Sequence, residues 1–502
     1  MAVAHPTLAD VADSQFDVAI IGGGINGACL YYALTRAGYR VLLADRGDFG
    51  AGTSQASTMM IWGGLLYMKD LELKTVWSLC GSRDRLIRDQ PQQIQPCRIR
   101  WVPVPGGRSR ALVQTALNAY WLLGRTRRTR PRFECDFPER AMLNHGGVPG
   151  ALTYEEAALD TSDARFVLSW ILNGGGRDSA ALNYCAVTSA DFDPALRGWR
   201  VSLTDTLNQA STEIGARLVV NAAGGWTDEI NRAAGIDSPY RHVLSRGVSI
   251  SVPRDARHTT HLAFETADGN AMTFGPWGPV ALWASTDTVH ADVESAKQIA
   301  PDDIRSLLSE LNSHLAKPFT VDDIVSMRCG VRPLAVPRHK PVNEHSTSLS
   351  RHHRIHVNAD HGWISVYGGK LSGCTTLAAE VQAAVVGVVG TRTATPFPSD
   401  HSSEPASVPT ELFPGLDQPV VSPSWSATHE RCRTLDDFIR RRTNVAQWVK
   451  RSGLGQQNEN LDHLHHIATA IHGGDTTSAA NDVTRYRQRA DNEWRLLEGV
   501  SL

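Results

Sequence analysis

One stretch near the start of the sequence constrains the fold more than any other. DVAII, Asp17 to Ile21, is a short apolar run of strand type. GGGINGACLYYALTRAG follows with helix formers and ends at Gly38, a natural C-cap, and RVLLA is a second buried-strand run. Strand, glycine turn, helix and strand make a βαβ unit, which implies a parallel sheet. Inside it, Gly22-Gly23-Gly24-Ile25-Asn26-Gly27 matches G-x-G-x-x-G, and Asp45 closes the second strand about 20 residues on. The pattern is weak alone and specific in this setting. Gly22 makes the tight turn, Gly24 lets the backbone reach a pyrophosphate, and Gly27 lets the helix pack on the sheet. The helix N-terminus then faces the phosphates, and Asp45 is placed for a ribose hydroxyl.

The rest of the chain sets limits. With 502 residues it can bury more than one core, and a net charge of −2 gives no sign of a nucleic-acid binder. The eight cysteines are scattered without a C-x-x-C pair, the pattern of reduced thiols in a cytosolic protein. MAVAHPTLADVADSQ reads as a frayed leader rather than a secretory signal, and no run approaches the roughly 18 apolar residues of a membrane span. The expected location is cytoplasmic, with a peripheral position on the inner face of the membrane as an alternative. RGWRVSLTDT, RLVVNAAGG, GVSISVP, PVALWAS and HRIHVNA read as strands, whereas LVQTALNAYWLLG and DDIRSLLSELNSHL read as helices. Residues 391–426 are rich in Pro, Ser and Thr and read as a linker. ERCRTLDDFIRRRTNVAQWV and LDHLHHIATAIH after it read as amphipathic helices of a small C-terminal domain.

The acid at 45 is followed by a small-residue loop, Gly47 to Ser57, whose Thr53, Ser54 and Ser57 offer hydroxyls to a diphosphate or ribityl chain. Far downstream, ISVYGGKLSGCTTLAAE is a second glycine loop opening a helix, suited to the pyrimidine edge of a reduced flavin. No second G-x-G-x-x-G follows a strand. These features favour FAD over NAD.

DVAIIGGGINGA, LLADRGDFGAGTS, the frame ST-x-x-I-x-GGL-x-Y, VNAAGGW, STDT, GVRPL and ISVYGGKLSG, in that order from residue 17 to about 390, resemble the FAD-dependent glycerol-3-phosphate dehydrogenases. The C-terminal run ERCRTLDDFIRRRTN looks like part of the same family. The resemblance implies an α/β fold: a doubly wound FAD-binding domain, a mixed-sheet substrate domain over the flavin, and a small C-terminal helical domain. The expected division is 1–80, 151–235 and 326–390 for FAD, 81–150 and 236–325 for substrate, and 427–502 for the helices. Carried over by position, Gly22, Gly24, Ile25, Asn26, Gly27, Asp45 and Arg46 hold the adenosine diphosphate end. Thr53, Ser54, Ser57, Thr58 and Gly224 line the middle of FAD, and Gly369, Lys370 and Leu371 come next to the flavin ring. Arg332 and Lys370 match two cationic active-site residues.

The departures concern the substrate wall. The family frame reads S-T-K-L-I-H-G-G-L-R-Y. Here Met59 stands for its lysine, Trp62 for its histidine and Leu66 for the arginine that grips the substrate phosphate, ahead of a matching Tyr67. Ser249 falls where the family has a pocket histidine. Losing an arginine removes a bidentate phosphate grip, and indole in place of imidazole trades a titratable group for an apolar face. The expectation is an FAD-dependent dehydrogenase or oxidase. It would take a hydride from a CH–OH group of a small or medium, less anionic metabolite to flavin N5, with oxygen or quinone as acceptor. Glycerol-3-phosphate dehydrogenase itself, an amine oxidase and a non-catalytic flavin-binding partner subunit are the alternatives, and a homodimer is a candidate assembly. Four histidines, His463, His465, His466 and His472, read as a solvated helix face, so no metal site is expected. Seven arginines between Arg108 and Arg132 flank LVQTALNAYWLLG. They read either as a solvated surface or as a patch for an anionic membrane.

Overall fold

The computed structural model describes residues 6–500, apart from 70, 145–148, 177, 196, 267–269, 341–348, 350–351 and 394–407. The βαβ unit is as the sequence reads. Gln15–Ile21 pairs in parallel with Val41–Ala44, and Ile25–Arg36 is the helix between them. Every residue of Val41–Ala44 is buried, which is why that strand shows no polar alternation. The sheet continues in the spatial order Arg354–Asn358, Trp363–Tyr367, Ser211–Asn221, Gln15–Ile21, Val41–Ala44 and Ala180–Leu182. The antiparallel strands Cys185–Asp193 and Gly198–Asp205 extend it through Ser211–Asn221.

Two helices cover one face of this sheet, Ile25–Arg36 and Cys374–Val389, and they share a core with Val18, Ile20 and Leu43. The segment Leu371–Val389 is long and apolar enough to cross a membrane by length and composition. Its Leu377, Val381 and Val385 are fully buried in this core, the packing of an internal helix.

The second sheet is mixed. Tyr240–Pro253 pairs along nearly its whole length with Ser326–Pro337 and also with Val280–Ala284. Ala271–Trp277, His261–Glu265, Ile94–Val102, Ala151–Leu159 and Met60–Ile61 follow in that order. The helix Pro301–His314 packs its Ile304, Leu307, Leu308 and Leu311 on one face. On the other face lie Leu73–Asp89 and Arg110–Leu123.

Three expectations change. Ala151–Leu159 and Ser326–Pro337, counted with the FAD-binding part, belong to the second sheet, as does Met60–Ile61. The boundaries drawn at 151 and 326 therefore do not coincide with the sheets, because these strands pair with partners distant in sequence. ERCRTLDDFIRRRTNVAQWV is not one amphipathic helix but three short pieces, Leu435–Asp437, a wide π-type turn Phe438–Arg442 and Val445–Trp448. Of the linker, 394–407 lies outside the described residues. The part from 408 is structured: Thr410–Glu411 pairs with Val420–Val421, and Phe413 is buried in the C-terminal core. Near the N-terminus, Ala9–Val11 forms a short helix with Val11 buried.

Candidate functional site

The two sheets meet over a cavity of about 1480 Å³. Gly22, Gly24, Ile25, Asn26, Asp45, Arg46, Thr53, Ser54, Ser57, Thr58 and Gly224 line it, together with Trp62, Leu66, Tyr67, Arg332, Gly369, Lys370 and Leu371. Residues spread over 350 positions of sequence thus face one space.

At the fingerprint, geometry matches the roles read from the glycines. Gly22 has φ +103°, and a Cβ there would come 2.7 Å from the Ala222 carbonyl oxygen. Gly27 lies outside the lining, beneath the turn, where a Cβ would sit 1.9 Å from the Gly22 oxygen. The helix cannot approach the strand with any larger residue at 27. Ser54 Oγ accepts from the Ile25 amide at 3.0 Å, so the hydroxyl loop and the helix N-terminus are held together. Asp45 accepts from the Gly23 amide at 2.6 Å and the Gly47 amide at 2.9 Å. Its burial nevertheless pushes its pKa up to about 6. Arg46 stacks on Trp226 at 4.2 Å, with Lys297 also over that ring at 4.7 Å.

The loop after Asp45 is pinned by groups that sequence reasoning did not single out. Arg328 donates to the carbonyls of Ser57 (2.9 Å) and Gln55 (2.5 Å) and to Asp163 Oδ2 (2.7 Å), and the Ser57 amide donates to the same carboxylate oxygen at 2.8 Å. Asp48, three residues beyond the acid, is buried and receives Arg442 Nη2 at 2.8 Å and Arg441 Nε at 2.6 Å from the C-terminal domain. A signal existed for Arg328: it lies four residues before Arg332 on one strand, so both side chains share a face.

At the other end of the cavity Arg332 is held flat over Gly247, where a Cβ would lie 2.2 Å from its Nη2. Its guanidinium donates to Ser285 Oγ (2.6 Å), the Thr286 carbonyl (3.2 Å) and Ser245 Oγ (3.3 Å), with Asp287 3.9 Å away. Three of these residues belong to STDT, which explains that motif. Lys370 Nζ sits 4.0 Å from the centre of the Tyr67 ring. Burial lowers its pKa to about 7. Tyr67 in turn stacks on His352, which meets Glu72 at 2.9 Å. His242, not anticipated, accepts from the Gly368 amide at 3.0 Å, and burial drops its pKa to about 3.

Trp62 faces the cavity with its indole N–H on Thr58 Oγ1 at 3.3 Å, and Leu66 stands at the mouth, 44 % exposed. Beneath Trp62, Gly63 donates to Glu156 at 3.0 Å, and Glu156 is clamped by Arg83 at 2.7 Å and by Tyr120 at 2.5 Å. Two residues differ from expectation. Ser249 is 3 % exposed, paired between Ala284 and Arg328, and lies outside the lining. Met59, at φ +63°, turns into the core of the first sheet. Among the described residues no group of three or more His, Cys, Asp or Glu could hold a metal, and His472 pairs with Asp482 at 3.0 Å.

The cavity suits FAD. It runs from the glycine turn and Asp45, which stands where a ribose would lie, to Arg332 and Lys370. Comparison with known proteins agrees. The family model described as FAD dependent oxidoreductase (DAO) matches residues 17–373. The chain is 29% identical over 415 residues to a protein named probable mitochondrial glycerol-3-phosphate dehydrogenase from Caenorhabditis elegans, covering 78% of this chain and 56% of that one. It is 28% identical over 387 residues to glycerol-3-phosphate dehydrogenase 2 of Mycobacterium bovis, covering 76% and 64%. This chain thus spans between half and two-thirds of the length of these relatives. Among solved structures, the FAD complex of glycerol-3-phosphate dehydrogenase from Bacillus halodurans superposes with a TM-score of 0.68 at 19% identity, covering 97% of this chain and 96% of that one, which speaks to the fold.

Proposed function

This chain belongs to the family of FAD dependent oxidoreductases, and we propose that it removes a hydride from a CH–OH group of a small or medium, weakly anionic metabolite. The observation that carries this reading is one cavity holding the nucleotide-binding glycines at one end and Arg332 with Lys370 at the other. Gly22, Gly24, Ile25 and Asn26 would hold the pyrophosphate, Asp45 a ribose, and Gly369 to Leu371 the flavin edge. Bound FAD supplies the hydride acceptor. Arg332, fixed by Ser245, Ser285 and Thr286, orients the substrate oxygen. Lys370, neutral above about pH 7, takes the hydroxyl proton from a position over Tyr67. Trp62 and Leu66 exclude water from the same wall.

The names of the relatives favour glycerol 3-phosphate as substrate, and Leu66 at the arginine position opposes it. The discriminating experiment is anaerobic bleaching of the purified protein across alcohols, polyol phosphates and amines. Bleaching by alcohols with a weak response to glycerol 3-phosphate supports the proposal. Efficient reduction by glycerol 3-phosphate returns the chain to the activity its relatives are named for, and bleaching by amines alone moves the chemistry to CH–NH.

For the electron acceptor, support comes from the surface beside the cavity mouth. Leu71, Leu73, Trp77 and Leu122 are 79 %, 45 %, 51 % and 63 % exposed there, and Arg125 stacks on Trp77 at 4.2 Å. Several arginines of the cluster are neutralised, Arg128 by Glu155 and Arg132 by Glu134. The patch is therefore more apolar than cationic. We read it as a peripheral contact with a membrane carrying the acceptor, tested by flotation with anionic lipid vesicles and with a Trp77→Glu variant.

A further inference from the structure

The cavity extends past Arg332 and Lys370 into a chamber of different chemistry. Its floor follows from sheet register. Ser249 pairs with Ala284, Ala284 with Thr273, Thr273 with Ala263, and Ala263 with Trp101. Paired residues point to one face, so three neighbouring strands present a lining row of small side chains, Ala284, Thr273 and Ala263, that begins beside the buried Ser249 and ends on the Trp101 indole. Trp283, adjacent to Ala284, points to the opposite face and packs with the helix Pro301–His314. The empty height above the row is therefore a property of Ala284, Thr273 and Ala263, all of which line the cavity.

The far wall is apolar. Met60, Trp62, Trp101 and Tyr154 line the cavity and pack with Ala263 in one hydrophobic cluster. Trp62 spends its only polar atom on Thr58 and so turns a hydrocarbon face inward. The lining residues that the second sheet contributes at this end carry no ionisable group of acidic or basic type. The charged residues that line the cavity, Lys69, Glu72 and Glu310 among them, come from elements other than the strands of this row.

We infer that this chamber receives an uncharged apolar arm of the substrate, aromatic or branched aliphatic, with the reacting CH–OH held at Lys370 and Arg332. The inference rests on the dehydrogenase reading and adds the substrate class: a hydrocarbon-armed carbinol rather than a polyol phosphate. Burying hydrocarbon in a chamber of this lining is favourable in proportion to area, whereas a phosphate dianion there would lose its hydration without a cation to replace it.

The test uses the FAD-loaded protein and reads binding apart from turnover, through the shift of the flavin absorbance spectrum on titration. The probes are 1,2-propanediol, 1,2-hexanediol, 3-phenyl-1,2-propanediol and glycerol 3-phosphate. Each buried methylene should tighten binding about 4-fold, so hexanediol should bind roughly 60-fold tighter than propanediol. Ala263→Phe, which fills the chamber from its floor, should erase that gain while the flavin spectrum persists. If that variant fails to fold, Trp62→His, at a half-buried position of the far wall, should weaken the phenyl diol more than propanediol. Affinity independent of arm length, or glycerol 3-phosphate binding tighter than the phenyl diol, overturns the inference. Failure of the underlying reading is distinct: arm-dependent binding with no anaerobic flavin reduction by any diol leaves the chamber standing and removes the dehydrogenase.

Discussion

Asn26, in the first turn of the nucleotide-binding helix, donates through Nδ2 to the Gly368 carbonyl at 2.9 Å, across 342 residues of sequence. This bond ties the glycine fingerprint to the loop that carries Lys370. The fit is close: Gly369 has φ +108°, and a Cβ on it would lie 2.7 Å from Asn26 Nδ2. The two loops that face the cofactor cavity are thereby one mechanical unit.

Asn26→Ala should cost about 0.5–1.5 kcal/mol, the net worth of a typical hydrogen bond, here between part-buried groups. Gly369→Ala should cost more, since it adds backbone strain to a collision. Urea unfolding of both variants, with FAD release followed by fluorescence, checks the order. Equal stability of Gly369→Ala and wild type would show that the loops are not coupled this way.

Flavin reduction should quicken as pH rises through about 7, where the Lys370 ammonium gives way to the neutral amine. A lowered lysine pKa also means the unfolded chain binds more protons between about 7 and 10.5, so folding stability should climb over that interval. Lys370→Met should keep FAD, slow reduction by about 100-fold and flatten the pH profile. Stopped-flow reduction between pH 6 and 9 reads all three, and an unchanged rate would remove Lys370 from the chemistry.

Leu66→Arg should restore part of a phosphate grip. A charge-assisted bond to phosphate is worth about 1.5–3 kcal/mol, or roughly 10- to 150-fold in binding. The measurement is the concentration dependence of flavin reduction by glycerol 3-phosphate in variant and wild type. No gain in the variant would mean that position 66 does not face the reacting substrate.

Arg442→Met should destabilise the protein by about 3–5 kcal/mol, because it strips a partner from the fully buried Asp48 carboxylate. Burial opposes ionisation of Asp48, and Arg442 and Arg441 outweigh it, holding the carboxyl below its ordinary value. That contribution exists above the ordinary Asp range and is lost as acid protonates the group, so the variant should unfold at a higher pH than wild type. Acid titration followed by circular dichroism measures the displacement.

The fingerprint was legible because its signals are local: glycines at fixed offsets and two apolar strands around one helix. Arg332 and Lys370 were pointed to by the resemblance, and both line the cavity. What escaped depends on distant partners. Ser326–Pro337 carries ordinary strand composition, and only its pairing with Tyr240–Pro253 puts it in the second sheet. Arg440, Arg441 and Arg442 look like the polar side of a helix. Two of them are drawn inward by Asp48, and the backbone widens into a π-type turn there. Ser249 lies outside the cavity lining, and the strands that flank it, carrying Ala284 and Arg328, are distant in sequence.

The pairing of Asp48 with Arg442 also orders events during synthesis. The loop beside Asp45 emerges from the ribosome early, and its counter-charges are 393 and 394 residues behind it. Until they arrive, the nucleotide-binding half holds a carboxylate it cannot bury without cost, and the parallel strand Ser211–Asn221 waits for Trp363–Tyr367. Capture of the cofactor is therefore expected to be a late step, completed once residues 441 and 442 have emerged. A premature stop before residue 441 should yield an apoprotein for the quality-control machinery rather than a weakened flavoenzyme.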